Sequence, residues 1–176
     1  VSSLYQLKNI EGIIEAFKSL NQVRQDWELI IVGNASQKLI DQVSETGLSN
    51  KIKFIGELLH EDVAKQMQDS SALVLFSRYE NFPCVIIEAL CCGLPVVSSN
   101  VGGVSEAVNK SNGLLVESQN IGALKDAFIY MMDNCHQYNA QQISIDASKK
   151  YSEEVIGGQF VSLYRQVIAN FSSGNK

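Results

Sequence analysis

A chain of 176 residues with 45% hydrophobic content and 19% charged residues has the composition of one globular domain, long enough to enclose a sizeable core. No apolar run approaches the roughly 20 residues that span a bilayer, and no charged segment leads into a signal-like apolar stretch at the start. A net charge of −5 argues against nucleic acid or an anionic membrane as a partner of the whole surface, so any phosphate must be held by particular groups; the cytoplasm is the expected location.

Residues 1–4 read as the end of a first strand, and with Val1 in place of Met they give the chain the look of a piece excised from a longer protein. Lys8 and Asn9 then open a helix in which Ile10, Ile13, Ile14, Phe17 and Leu20 recur at 3.6-residue spacing. A second strand over residues 27–32 is closed by Gly33, and Ser36 is placed to cap a helix carrying Leu39, Ile40 and Val43 toward Gly47. A third strand, residues 51–55, ends at Gly56, and residues 60–69 form a helix presenting Val63, Ala64 and Met67. The apolar run 72–76 is continuous rather than alternating, as expected of a strand covered on both faces of a parallel sheet. After a polar loop, Pro83 suits the first turn of a helix, and Gly93 and Pro95 suit its stop and a new strand, so residues 84–92 form a short, mostly apolar helix.

The fifth strand is 95–98, the Gly102-Gly103 turn leads to a short helix at 104–108, and 113–116 is a sixth strand. Asn120 caps a helix with Leu124, Ala127, Phe128 and Met131 inward. Two more helices follow at about 138–150 and 152–170, the last using Phe160, Leu163, Tyr164 and Val167 as its buried face. The predicted fold is an α/β, Rossmann-like open parallel sheet of about six strands with helices on both faces, spanning residues 1–171, with a fraying tail at 172–176.

Such sheets bind ligands in the crevice at the carboxyl ends of their strands. That places Glu80 in the loop at this edge and Glu88 about one turn into the following helix, where both carboxylates can face the crevice. The helix opening near Pro83 offers the N–H groups of Cys84 and Val85 and the positive end of a dipole to a phosphate. Cys84, Cys91, Cys92 and Cys135 have spacings that suit neither a structural bridge nor a zinc cage, and read as reduced packing residues. His60 and His136 stand without ligand spacing; no metal site is readable. Arg78 reads as a solvated loop residue, and Gly102 and Gly103 read as a turn with positive φ, with Glu106 as its structural partner.

The run Ser77-x-x-Glu80-x-Phe82-Pro83, then Glu88-Ala89-x-x-x-Gly93-x-Pro95-Val96-Val97, then Val101-Gly102-Gly103-Val104-x-Glu106 resembles the donor-binding half of family-four retaining glycosyltransferases of the two-Rossmann-domain GT-B class. The resemblance implies transfer of a sugar from a nucleotide diphosphate sugar, without cofactor or metal, to an acceptor held by an N-terminal domain, with membrane association of the parent enzyme open and no nucleic acid involved. It gives Glu80 the catalytic position beside the transferred sugar and Glu88 the donor ribose hydroxyls. Lys8 falls where the family has a phosphate-binding lysine. Nucleotide contacts are implied around Gly33 and Ile55 and at Pro83, Cys84 and Val85, with Gly102, Gly103 and Glu106 ranked below them. One departure is Ser3, which stands where the family has an arginine; a hydroxyl cannot supply bidentate charge-assisted bonds. A catalytically silent nucleotide-binding or interaction module, and a related GT-B sugar-nucleotide epimerase, are the competing readings.

Overall fold

The computed structural model describes residues 6–173, and side chains to residue 171. The expected first strand at 1–4 and Ser3 lie outside the described residues. Five strands are therefore described rather than about six. Strands β1 (Leu29–Val32) and β2 (Ile52–Gly56) pair in parallel, and β3 (Leu73–Leu75), β4 (Val96–Ser99) and β5 (Gly113–Val116) form a second parallel set in the order β3-β4-β5.

Local signals set the helices that separate them. Helix α1 (Ile10–Leu20) buries Ile13, Ile14, Phe17 and Leu20, and α2 (Gln37–Glu45) starts where the Ser36 hydroxyl accepts from the Leu39 N–H. Helices α3 (His60–Gln68), α4 (Cys84–Cys91) and α5 (Val104–Ala107) follow β2, β3 and β4 in turn. Asn120 caps α6 (Ile121–Asn134) by accepting from Ala123, and Asn139 caps α7 (Ala140–Tyr151) by accepting from Gln142.

Adjacent residues of β4 show that helices cover both faces. Val97 joins Phe76 and Val116 in a cluster with Phe17, Leu124 and Phe128 of α1 and α6, whereas Val96 joins Leu75 in a cluster with Ile86, Leu90, Ile143 and Ala147 of α4 and α7. Period-2 alternation in the strand feeds one apolar side chain to each layer. The first layer is tied together by Phe17, which stacks on Phe128 at 4.3 Å and tilts against Trp27 at 4.7 Å between ring centroids. Residues of β1 and β2, Leu29 and Ile52, belong to that same cluster, so both strand sets share one core.

Helix α8 (Glu153–Ser173) departs from expectation. Its Phe160, Leu163, Tyr164 and Val167 are 52%, 52%, 61% and 58% exposed, and its packing is chiefly against α7. An apolar stripe at helical spacing signals a face suited to burial, but says nothing about which surface covers it. The helix also continues through Ser173, beyond the expected start of the tail at 172. No helix among the described residues is long and apolar enough to cross a membrane.

Candidate functional site

The parallel set β3-β4-β5 brings the loops after Leu75, Ser99 and Val116 to one edge, and hydrogen bonds lock the first two together. Ser98 Oγ donates to Leu75 O at 2.9 Å and Ser99 Oγ to Ser77 O at 2.6 Å; both serines are fully buried, and these bonds satisfy hydroxyls that an apolar strand would otherwise strand without water. The Gly103 N–H donates to Asn81 O at 2.8 Å. Gly102 and Gly103 pack so closely on the Glu80 loop that a Cβ on Gly102 would lie 1.7 Å from Glu80 O, and one on Gly103 would lie 2.6 Å from Asn81 O. Close approach of two backbones, in addition to the positive φ of 53° at Gly102, accounts for glycine here. The exposed Glu106 sets its Oε1 beside Gly103, which fits its reading as a partner of the turn.

Glu80 ends this loop as a half-buried carboxylate with two donors on one oxygen. Lys8 Nζ lies 2.5 Å from Oε1, and Ser77 Oγ donates to the same oxygen at 2.6 Å. The Lys8 and Glu80 side chains are 35% and 10% exposed, so the pair sits at the mouth of the crevice rather than in bulk solvent. The structure thus joins two residues that the sequence places 72 positions apart. Ser77, fully buried, was not among the expected site residues; its signal was its fixed place three positions before Glu80.

Helix α4 begins at Cys84 as expected and ends one residue earlier, at Cys91, with the buried Pro83 as N-cap rather than in the first turn. The Ile86 N–H turns back to Pro83 O at 3.1 Å, leaving the Cys84 and Val85 N–H groups as the helix's outward donors among the described residues. Cys84 is exposed, which corrects its reading as a packing residue: position N1 of a helix faces the crevice, not the core. Glu88, half-buried one turn further on, forms no ion pair with any described residue. Burial pushes the Cys91 and Cys92 thiols above their ordinary range, the latter helped by Cys91 and by the Glu88 carboxylate. Iodoacetamide at pH 8 is therefore expected to alkylate Cys84 well before Cys91 or Cys92. Peptide mass spectrometry showing equal rates for the three would contradict this arrangement.

Gly33 and Gly56 meet at the ends of β1 and β2, where the Gly33 N–H donates to Gly56 O at 2.7 Å. Both have positive φ, and a Cβ on either would meet nothing within 4 Å, so the ground above them is open. Ile55 beside them is half-buried. No hydrogen bond among the described residues ties this pair to the Glu80 loop.

A separate cavity of about 410 Å³ lies between α5, α6 and α7, beside the 109–112 loop that feeds the amino end of β5. Its polar walls are already engaged with one another: Asn112 Nδ2 donates to Ala107 O, Lys150 to Glu106 O, and Gln142 to Asp146. The chemistry gathers at the opposite edge. Among the described residues no three His, Cys, Asp or Glu side chains converge as a metal site, and His60 and His136 are exposed.

Comparison with known proteins gives the same direction. The family described as glycosyl transferases group 1 matches residues 1–150. The chain is 31% identical over 137 residues to a glycogen synthase of Mycobacterium tuberculosis, covering 76% of this chain and 33% of that one. It is 23% identical over 180 residues to the N-acetyl-alpha-D-glucosaminyl L-malate synthase of Bacillus anthracis, covering 99% and 46%. Among solved structures, sucrose-phosphate synthase from Thermosynechococcus elongatus superposes with a TM-score of 0.83 at 29% identity, over 93% of this chain and 43% of that one. Anabaena Alr3699/HepE, solved in complex with UDP-glucose, superposes with 0.74 at 25% identity, over 95% and 46%. The chain spans less than half the length of each.

Proposed function

This chain belongs to the glycosyl transferases group 1 family, and from that premise we propose that it is the nucleotide-sugar donor-binding domain of a retaining, metal-independent glycosyltransferase acting in the cytoplasm. The observation that carries the reading is the meeting of Lys8 with Glu80 beside the open amino end of α4. A diphosphate brings concentrated negative charge, and this corner offers an ammonium group, two outward N–H donors and a helix dipole to receive it. Glu88, half-buried and without a cationic partner among the described residues, is chemically suited to accept two ribose hydroxyl protons. The open ground above Gly33 and Gly56 leaves room for a base read by backbone groups. Glu80 is then left to hold the transferred sugar, with its Oε1 fixed by Lys8 and Ser77. That Alr3699/HepE was crystallised with UDP-glucose supports a nucleotide-sugar donor here. The acceptor would be held by an N-terminal domain of the same protein.

Titration calorimetry of this chain with UDP, GDP and ADP in excess EDTA tests the reading. At least one diphosphate is expected to bind without a divalent cation, and Lys8→Ala is expected to weaken it by about 1–3 kcal/mol, the range for a charge-assisted bond. Failure of all three to bind would overturn the proposal. It would favour a silent interaction module, the reading to which Ser3, in place of the family's arginine, lends support.

A further inference from the structure

We infer that Arg78 positions Lys8 for the donor phosphates, an inference that rests on the donor-binding reading above. Arg78 is an exposed loop residue, as the sequence suggested, but it is tied by hydrogen bonds to the residues on either side of Lys8. Its backbone N–H donates to Leu7 O at 2.8 Å, its Nε to Gln6 O at 3.0 Å and its Nη2 to Asn9 Oδ1 at 2.8 Å. Lys8 is thus gripped from both sides in sequence by one arginine, which itself lies two residues from Glu80. The remaining terminal nitrogen, Nη1, donates to Gln119 Oε1 at 3.2 Å, in the loop after β5.

Two features give the arrangement its meaning. Asn9 and Gln119 are the two non-glycine residues with positive φ among the described residues, at 51° and 63°, and both side chains end on this guanidinium. Left-handed backbone at such residues persists only where surroundings hold it. Asn9 is also buried, its carbonyl receives the Gly12 and Ile13 N–H groups at the start of α1, and a Cβ on Gly12 would lie 2.7 Å from its amide nitrogen. The turn that presents Lys8 therefore has a defined shape, and Arg78 is the side chain that closes it. Secondly, all three guanidinium nitrogens are engaged by neutral acceptors, and no carboxylate pairs with Arg78 among the described residues. Three of its five N–H donors are thus committed to the turn that carries Lys8 and to the loop after β5, which makes it a positioning residue.

Arg78→Lys keeps the charge but cannot reproduce three bonds from a planar fork, so it separates geometry from field. In calorimetry, Arg78→Lys and Arg78→Ala are each expected to lose about tenfold in nucleoside diphosphate affinity, with the affinity for the unphosphorylated nucleoside unchanged; in a Lys8→Ala background Arg78→Ala should add nothing. Without any ligand, the Lys8 amine should acetylate severalfold faster in both variants, measured against the exposed Lys38 and Lys110 as internal standards. Urea midpoints establish that each variant is folded. An unchanged Lys8 acetylation rate in folded Arg78→Lys and Arg78→Ala would overturn the inference, as would equal losses for nucleoside and diphosphate or an additive double mutant. If the unsubstituted chain binds no diphosphate, the donor-binding reading fails, while the acetylation rates still decide for or against Arg78 as the residue that holds Lys8.

Discussion

Gly102→Ala is expected to lower stability on the order of 3 kcal/mol and to remove nucleoside diphosphate binding with it. The added methyl would lie 1.7 Å from Glu80 O, 2.7 Å from its carbonyl carbon and 3.3 Å from Asn81 O. These are backbone atoms, so no rotamer change relieves the overlap. The loop cannot retreat freely either, because the Gly103 N–H holds Asn81 O and the Ser99 hydroxyl holds Ser77 O. Part of the expected loss is strain at φ 53°, which disfavours any L side chain, and part is displacement of the loop that carries Glu80. Gly157→Ala provides the contrast. It lies inside α8, and a Cβ there meets nothing within 4 Å. The same substitution should raise stability there by about 0.5–1 kcal/mol through helix propensity alone. Urea unfolding of the two variants side by side checks both signs; a Gly102→Ala protein with the parent's midpoint would mean that the two loops do not meet as described.

Glu80→Gln is expected to split binding from transfer. Lys8 is committed to Glu80 in the unliganded protein, so a phosphate has to draw the ammonium away from a carboxylate and lie near that carboxylate's charge. Neutralising Glu80 removes both penalties, and diphosphate affinity should rise by about 1 kcal/mol, roughly fivefold. Ser77 Oγ can still donate to the amide oxygen, so the loop has reason to keep its shape. In the full-length enzyme proposed above, the same change should lower kcat about 100-fold or more, because the carboxylate acts on the sugar as charge develops and not on the nucleotide. Glu88→Ala should behave differently, weakening the free nucleotide and the nucleotide sugar by a similar factor, as expected of a residue on the ribose. If Glu80→Gln weakens the nucleotide while Glu88→Ala leaves it unchanged, the two roles have been exchanged.

Much of the fold was legible because its causes are local. Ser36 and Asn120 cap helices where their hydroxyl and amide oxygens reach N–H groups three residues ahead, and a cap needs nothing further from the chain. Strand runs and the inward positions of α6 follow from apolar periodicity; β1 to β4 differ from the expected strands by one or two residues at their ends, and β5 coincides with its expected range. The positions of Glu80, Cys84, Val85 and Glu88 at one helix opening were equally local, since nine residues of loop and helix contain them all.

By itself, then, the sequence determined the order of strands and helices, the stop at Gly93, and the family to which the motif around Glu80 belongs. Tertiary structure alone decided what those residues touch. Lys8 and Glu80, and Arg78 and Asn9, are 72 and 69 positions apart, and their meeting is a tertiary contact that no local pattern contains. Gly102 is a glycine because of the Glu80 backbone against it, which turn statistics do not contain. The stripe on α8 has a helix's periodicity and an exposed face, since periodicity records which residues favour burial and the partner surface decides whether they are buried.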